Sequence, residues 1–156
     1  MSATDMDPPV ERALEAFNGH ETDALLDEFA PGGTFVDPLL DEEATGEALR
    51  EYTEEIFTAF PDVSLEPNRV ITSGDGAHAI EATYIGTHEG PIEGIPPTGK
   101  SVAVESMTVI DVSDEGITAW RDYWDQQSFT DQLGLGFPAI VPLLPRIALA
   151  KLTGRT

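Results

Sequence analysis

The apolar residues of this chain change their period once, at Val63, and that switch constrains the fold more than any other feature. Before it they recur every three or four positions, as on one face of a helix. After it they alternate, as on one face of a strand. Val10, Ala13, Leu14 and Phe17 form the first helical stripe; Pro8 and Pro9 suit its first turn and Asn18-Gly19 its end. Leu25, Leu26 and Phe29 form a second, short stripe, broken by Pro31-Gly32-Gly33. Residues 34–36 read as a short strand closed by Asp37-Pro38. Leu49, Tyr52, Thr53, Ile56, Phe57 and Phe60 make the longest stripe, which Pro61 stops.

Beyond Val63, residues 63–71, 77–88, 101–112 and 117–124 read as four strands. Ser73-Gly74-Asp75-Gly76 and Ser113-Asp114-Glu115-Gly116 are turn signals, and the Pro- and Gly-rich connection 89–100 is longer. Helices followed by an antiparallel meander predict an α+β fold. Neither a repeat nor a linker divides the chain, so a single domain over 1–156 is expected, with its core over about 8–134. Phe129 and Leu133 mark a short helix, and Gly134-Leu135-Gly136-Phe137-Pro138 a turn. The remaining extension, 135–156, is apolar over 139–152 and interrupted by Pro142 and Pro145. It is too short and broken to span a bilayer, and could cap a pocket or pack on a subunit partner.

Charge excludes whole classes of function. Twenty-nine acids face eight bases, a net charge of −21, the wrong sign for nucleic acid and unfavourable at an anionic membrane surface. The acids are interleaved with apolar periodicity, which argues for folding rather than disorder. Such self-repulsion is screened by concentrated salt, so a halophilic microbe and a cytoplasmic location are expected. The start of the chain lacks the pattern of a signal peptide. With no cysteine, thiolate chemistry and disulfides are excluded. His20, His78 and His88 form no i, i+4 pair, so no metal centre is expected. The run from Gly94 to Ser101 is no phosphate loop: Pro96 and Pro97 remove backbone donors, and a strand follows instead of a helix.

Three segments carry a resemblance. They are Phe35-Val36-Asp37-Pro38 with Thr45-Gly46; Gly86-Thr87-His88-Glu89-Gly90 with Gly94-Ile95-Pro96-Pro97-Thr98-Gly99-Lys100; and Trp120-Arg121-Asp122-Tyr123-Trp124-Asp125 with Asp131-Gln132-Leu133-Gly134. In order and spacing the chain resembles the SnoaL-like polyketide (ester) cyclases of the nuclear-transport-factor-2-like, cystatin-like superfamily. The resemblance implies a cone: a strongly curved antiparallel sheet wrapped around the long helix, enclosing a pocket. It also implies acid/base chemistry on a hydrophobic carbonyl or ester compound without a cofactor, as in the aldol closure of a polyketide ring, and a hydrophobic small-molecule ligand. Fold transfers better than substrate. A non-catalytic binder or a dimeric adaptor on the same fold is the alternative, the adaptor being favoured if the cavity were filled and Asp122 were paired with Arg121 or Arg50.

Asp122 matches the family's general acid/base position. Independently, alternation places Thr118, Trp120, Asp122 and Trp124 on one strand face. A carboxyl between indoles in an apolar pocket has a raised pKa. His88, at a strand end beside two glycines, is the second catalytic candidate; the rival role is to fix its loop. Asp37, Tyr84, Ser106, Thr108, Trp120 and Trp124 are the substrate-binding candidates. For Asp37 a turn-shaping role competes. Thr108 stands where the characterised cyclases carry a histidine, with Ser106 one same-face step before it; a hydroxyl there can donate but cannot act as a base. Asp125 is expected to cap the helix that holds Phe129. A homodimer is expected, built on the outer sheet face or the apolar tail.

Overall fold

The computed structural model describes residues 6–136 and 144–153. In chain order the elements are α1 (Pro8–Asn18), α2 (Thr22–Asp27), β1 (Phe29–Val36), α3 (Gly46–Ala59), β2 (Ser64–Thr72), β3 (Ala77–Thr87), β4 (Ser101–Ser113), β5 (Gly116–Trp124), α4 (Gln126–Gln132) and α5 (Leu144–Leu152). The period switch at Val63 therefore marks the passage from the helical half to the meander.

The strands form one five-stranded sheet in the order β1-β5-β4-β3-β2. The meander is antiparallel as expected, but β1 joins its far edge parallel to β5. That pairing differs from the short strand and helix predicted around Phe29. The second helix ends at Asp27, and Phe29 already belongs to β1, which runs through Pro31-Gly32-Gly33 with a break in register. The break is tolerated because β1 is an edge strand, where a missing ladder hydrogen bond costs little. Gly33 is needed there: a Cβ would lie 2.5 Å from the Ile117 carbonyl oxygen. Further irregularities lie at Pro67/Arg69 in edge strand β2 and at Asp111/Val112 in β4. Extra residues of this kind bend a strand and increase its twist, and the sheet curves over the helices without closing.

Val10, Ala13 and Leu14 of α1 meet Leu65, Ile80, Ile110, Ile117 and Trp120 from the sheet's inner face. The stripe of α3 buries Leu49, Tyr52 and Thr53, with Phe60 just past its end. Asp125 caps α4, accepting from the backbone N–H groups of Gln127 and Ser128. Of the apolar tail, residues 139–143 lie outside the described residues, as do Phe137 and Pro138 of the predicted turn. The rest forms α5, with Pro145 in its first turn, where a proline is compatible with a helix. Ile147 packs on the core, while Leu149 and Leu152 stay exposed.

Among the described residues the ion pairs of the arginines join Arg12 to Glu28, Arg50 to Asp23 with Glu47 and Glu54 beside it, Arg69 to Glu81, and Arg121 to Asp111. With a net charge of −21, self-repulsion opposes folding at low salt. Denaturant midpoints are expected to rise steadily with KCl into the molar range. A flat or falling series would reject both that repulsion as a limit on stability and the expected halophilic origin.

Candidate active site

The concave side of the sheet and the inner face of α3 enclose a compact cavity of about 90 Å³ that opens to solvent at its mouth. Its walls are mainly aliphatic and aromatic, and two carboxylates, Asp37 and Asp122, reach into it.

Asp122 sits on β5 with Trp120 and Trp124 facing the same way, all three lining the cavity. Thr118 departs from the predicted face: it is exposed, and Ile117 is buried instead, because the register irregularity opposite Asp111/Val112 interrupts the alternation. Asp122 is wholly enclosed. Its Oδ1 accepts from Thr108 Oγ1 (2.6 Å) and from Trp120 Nε1 (3.0 Å), and its Oδ2 from the Tyr84 hydroxyl (2.8 Å). Thr108 reaches it because it is Asp122's register partner on β4. Burial pushes the Asp122 carboxyl up to about 7, the nearby charge of Asp37 adds to the rise, and the three donors restrain it.

Asp37 stands at the end of β1. Its Oδ1 accepts from the Leu39 backbone N–H (2.8 Å) and from the Tyr52 hydroxyl (2.9 Å), and its Oδ2 from Trp124 Nε1 (2.9 Å). The bond to Leu39 is the turn role weighed from the sequence; the other two hold the same carboxylate inside the cavity. Burial raises this carboxyl above the ordinary range, against the pull of its three donors. The indoles thus divide between the acids, Trp120 to Asp122 and Trp124 to Asp37. Tyr52 had only been read as part of a helical stripe. Its amphipathic ring on the inner face of α3 was the available signal.

The structure does not bring all the candidates together. His88 is fully buried but does not line the cavity; it stacks behind the lining residue Phe60, with ring centroids 5.2 Å apart. The Thr98 backbone N–H donates to its Nδ1, and the His88 backbone pairs with Lys100 and Gly99. Burial lowers its pKa, which favours the neutral ring. These contacts fit loop fixing rather than proton transfer to a ligand, because β3 ends at Thr87 and the chain then turns into the Pro- and Gly-rich connection. Ser106 and Thr108 are buried behind the cavity wall. Ser106 is directed at the Ala82 carbonyl, at 3.4 Å, whereas Thr108 acts only through Asp122. Tyr84 lines the cavity directly. Arg121 and Arg50 are paired elsewhere, so neither neutralises Asp122. Among the described residues no cluster of side chains is arranged to hold a metal ion, and no helix is long and apolar enough to cross a membrane.

The model of the SnoaL-like polyketide cyclase family matches residues 9–133. The chain belongs to that family. No curated protein matches the sequence. Solved structures with the same fold include a hypothetical protein with a ketosteroid isomerase-like fold from Catenulispora acidiphila, in complex with trimethylamine. It is 27% identical with a TM-score of 0.71, and the match covers 86% of this chain and 96% of that one. TsrD from Streptomyces laurentii is 23% identical with a TM-score of 0.71, over 86% and 98% of the two chains. SalBIII, an epoxide hydrolase/cyclase-like enzyme in pyran ring formation in the polyether salinomycin, is 21% identical with a TM-score of 0.66, over 77% and 90%. The match to the SnoaL-like family ends at the helix carrying Phe129 and Leu133, so α5 lies outside it.

Proposed function

We propose that this SnoaL-like protein is a cofactor-independent acid/base enzyme acting on a hydrophobic carbonyl or ester compound. The observation that carries the reading is Asp122: an enclosed carboxyl in an apolar cavity, without a cationic partner, poised near neutrality. A base with that pKa combines a useful ionised fraction with real proton affinity. In the reaction envisaged, Asp122 Oδ2 takes a proton from the carbon α to the substrate carbonyl, and the C–H electron pair becomes an enolate. Protonation of Asp122 removes the anionic acceptor of the Tyr84 hydroxyl, freeing it to donate to the enolate oxygen. The α carbon then attacks a second carbonyl of the same molecule, and the Asp122 proton passes to the new alkoxide. An aldol-type ring closure results, with no net gain or loss of protons. Isomerase or hydrolase chemistry would use the same base. Asp37, Tyr52, Tyr84, Trp120 and Trp124 hold the ligand, with Thr108 positioning Asp122 from behind.

The test is α-proton exchange with D₂O, followed by NMR over a panel of polyketide-like methyl esters and cyclic ketones. Exchange above the buffer rate, saturating with protein, is expected for ligands that bind. Binding without exchange across the panel would favour the non-catalytic binder.

A homodimer through the convex sheet face is the assembly we infer. Ala79 and Val109 are register partners there, as are Met107 and Tyr123, and Tyr123 is exposed. Such a face suits a two-fold interface. Sedimentation at micromolar protein in high KCl should show a dimer that Tyr123→Glu dissociates; a monomer throughout would reject it.

A further inference from the structure

We propose that the cavity selects an organic cation, an amine or quaternary ammonium group on an apolar body, and that Asp37 is the residue that holds it. The proposal takes the cavity as the ligand site, as above, and names the ligand's chemistry.

Two carboxylates face one cavity, yet none of the described residues lining it is Lys, Arg or His. Each accepts three neutral donors: Asp37 from the Leu39 N–H, Tyr52 and Trp124, and Asp122 from Thr108, Trp120 and Tyr84. Donors of this kind favour the ionised form. The site is thus prepared twice over for negative charge and supplies no positive charge to match it. Two enclosed acids oppose each other's ionisation, and burial opposes both. A ligand cation beside Asp37 removes that conflict.

The walls specify which cation. Phe35, Tyr52, Tyr84, Trp120, Trp124 and Phe129 line the space, and aromatic faces attract alkylated ammonium groups, which shed water far more readily than a metal ion. A metal ion would need several free oxygen ligands, whereas each carboxylate already gives three of its roughly four acceptor sites to protein donors. The net charge of −21 draws any cation towards the protein. A substrate carrying both an ammonium and a ketone would set the first at Asp37 and its acidic C–H at Asp122.

The chain's only two tryptophans both line the cavity, so intrinsic fluorescence reports its occupancy alone. Benzyltrimethylammonium and its neutral isostere neopentylbenzene would be titrated at one fixed KCl concentration. The cation should bind at least about tenfold more tightly. Asp37→Asn should bring the two affinities within about twofold by weakening the cation alone. Equal binding by the unaltered protein would overturn the proposal, and that comparison stands even if the variant does not fold. A preference that survives Asp37→Asn in a folded variant would overturn the assignment to Asp37. Neither probe has an exchangeable α proton, so the outcome is independent of the exchange assay: cation preference without exchange leaves this inference standing and removes the enzymatic one, and the reverse pattern does the opposite.

Discussion

Asp122→Asn is expected to lower α-proton exchange by about 10²–10⁴-fold, the usual cost of losing a general base. The comparison isolates chemistry because the amide fits the same contacts. Its oxygen can still accept from Thr108 and Trp120, and its NH₂ meets the Tyr84 hydroxyl, whose oxygen can accept. Ligand affinity should change little, since the aromatic walls supply most of the buried area. In the unaltered protein the rate should fall as pH drops below about 7, because the ionised carboxylate is the base. Tyr84→Phe gives a second handle. Its hydroxyl lowers the Asp122 pKa, so removing it should move the midpoint of the pH profile upward with a smaller loss of rate. Exchange that is unchanged in Asp122→Asn would rule out Asp122 as the base.

The sequence made the meander and the long helix legible because each depends on local periodicity. Thr108 was singled out through the family resemblance, as the residue standing where the cyclases carry a histidine, and the structure makes it the register partner of Asp122. Features that depend on contacts between distant segments were not legible. The parallel pairing of β1 with β5 joins residues as far apart as Val36 and Arg121, and Pro31-Gly32-Gly33 reads locally as a terminator. His88 illustrates the same limit at the site. Its place at a strand end beside glycines suited a catalytic role, but which way the chain turns after Thr87 decides whether the ring meets the cavity or the back of Phe60. Asp37 looked like a turn residue because the bond to Leu39 is local, whereas those from Tyr52 and Trp124 come from α3 and β5. Tyr52 was hidden by its own amphipathicity: one ring served the helical stripe and the cavity together.

The same substitution that removes activity is expected to stabilise the fold at neutral and higher pH. The Asp122 carboxyl rises from 3.8 to about 7 on folding. The folded state therefore binds its proton more tightly than the unfolded chain does, and the sign of the linkage follows. Below the unfolded value the group is protonated in both states and folding pays nothing for it. As pH rises from about 4 to about 7 the unfolded chain ionises first, and the stability held by the protonated group is lost. The gap corresponds to about 4 kcal/mol once pH exceeds the folded value, as an order of magnitude. Asparagine has no such transition. Urea midpoints for the two proteins, measured from pH 4 to pH 8 at one high KCl concentration, should nearly coincide at the acid end and diverge in favour of Asp122→Asn towards pH 8. Taking the difference cancels the titration of the many surface acids, which both proteins share. Asp37 remains in both, and its repulsion of Asp122 is already contained in the raised Asp122 value, so it enters the difference once. A difference that stays constant across the range would mean that Asp122 is not raised by the fold, and would remove the physical basis for its role as a base near neutral pH. A divergence of the expected sign would show that this cavity gives up stability to keep a carboxyl where it can accept a proton, as active sites commonly do.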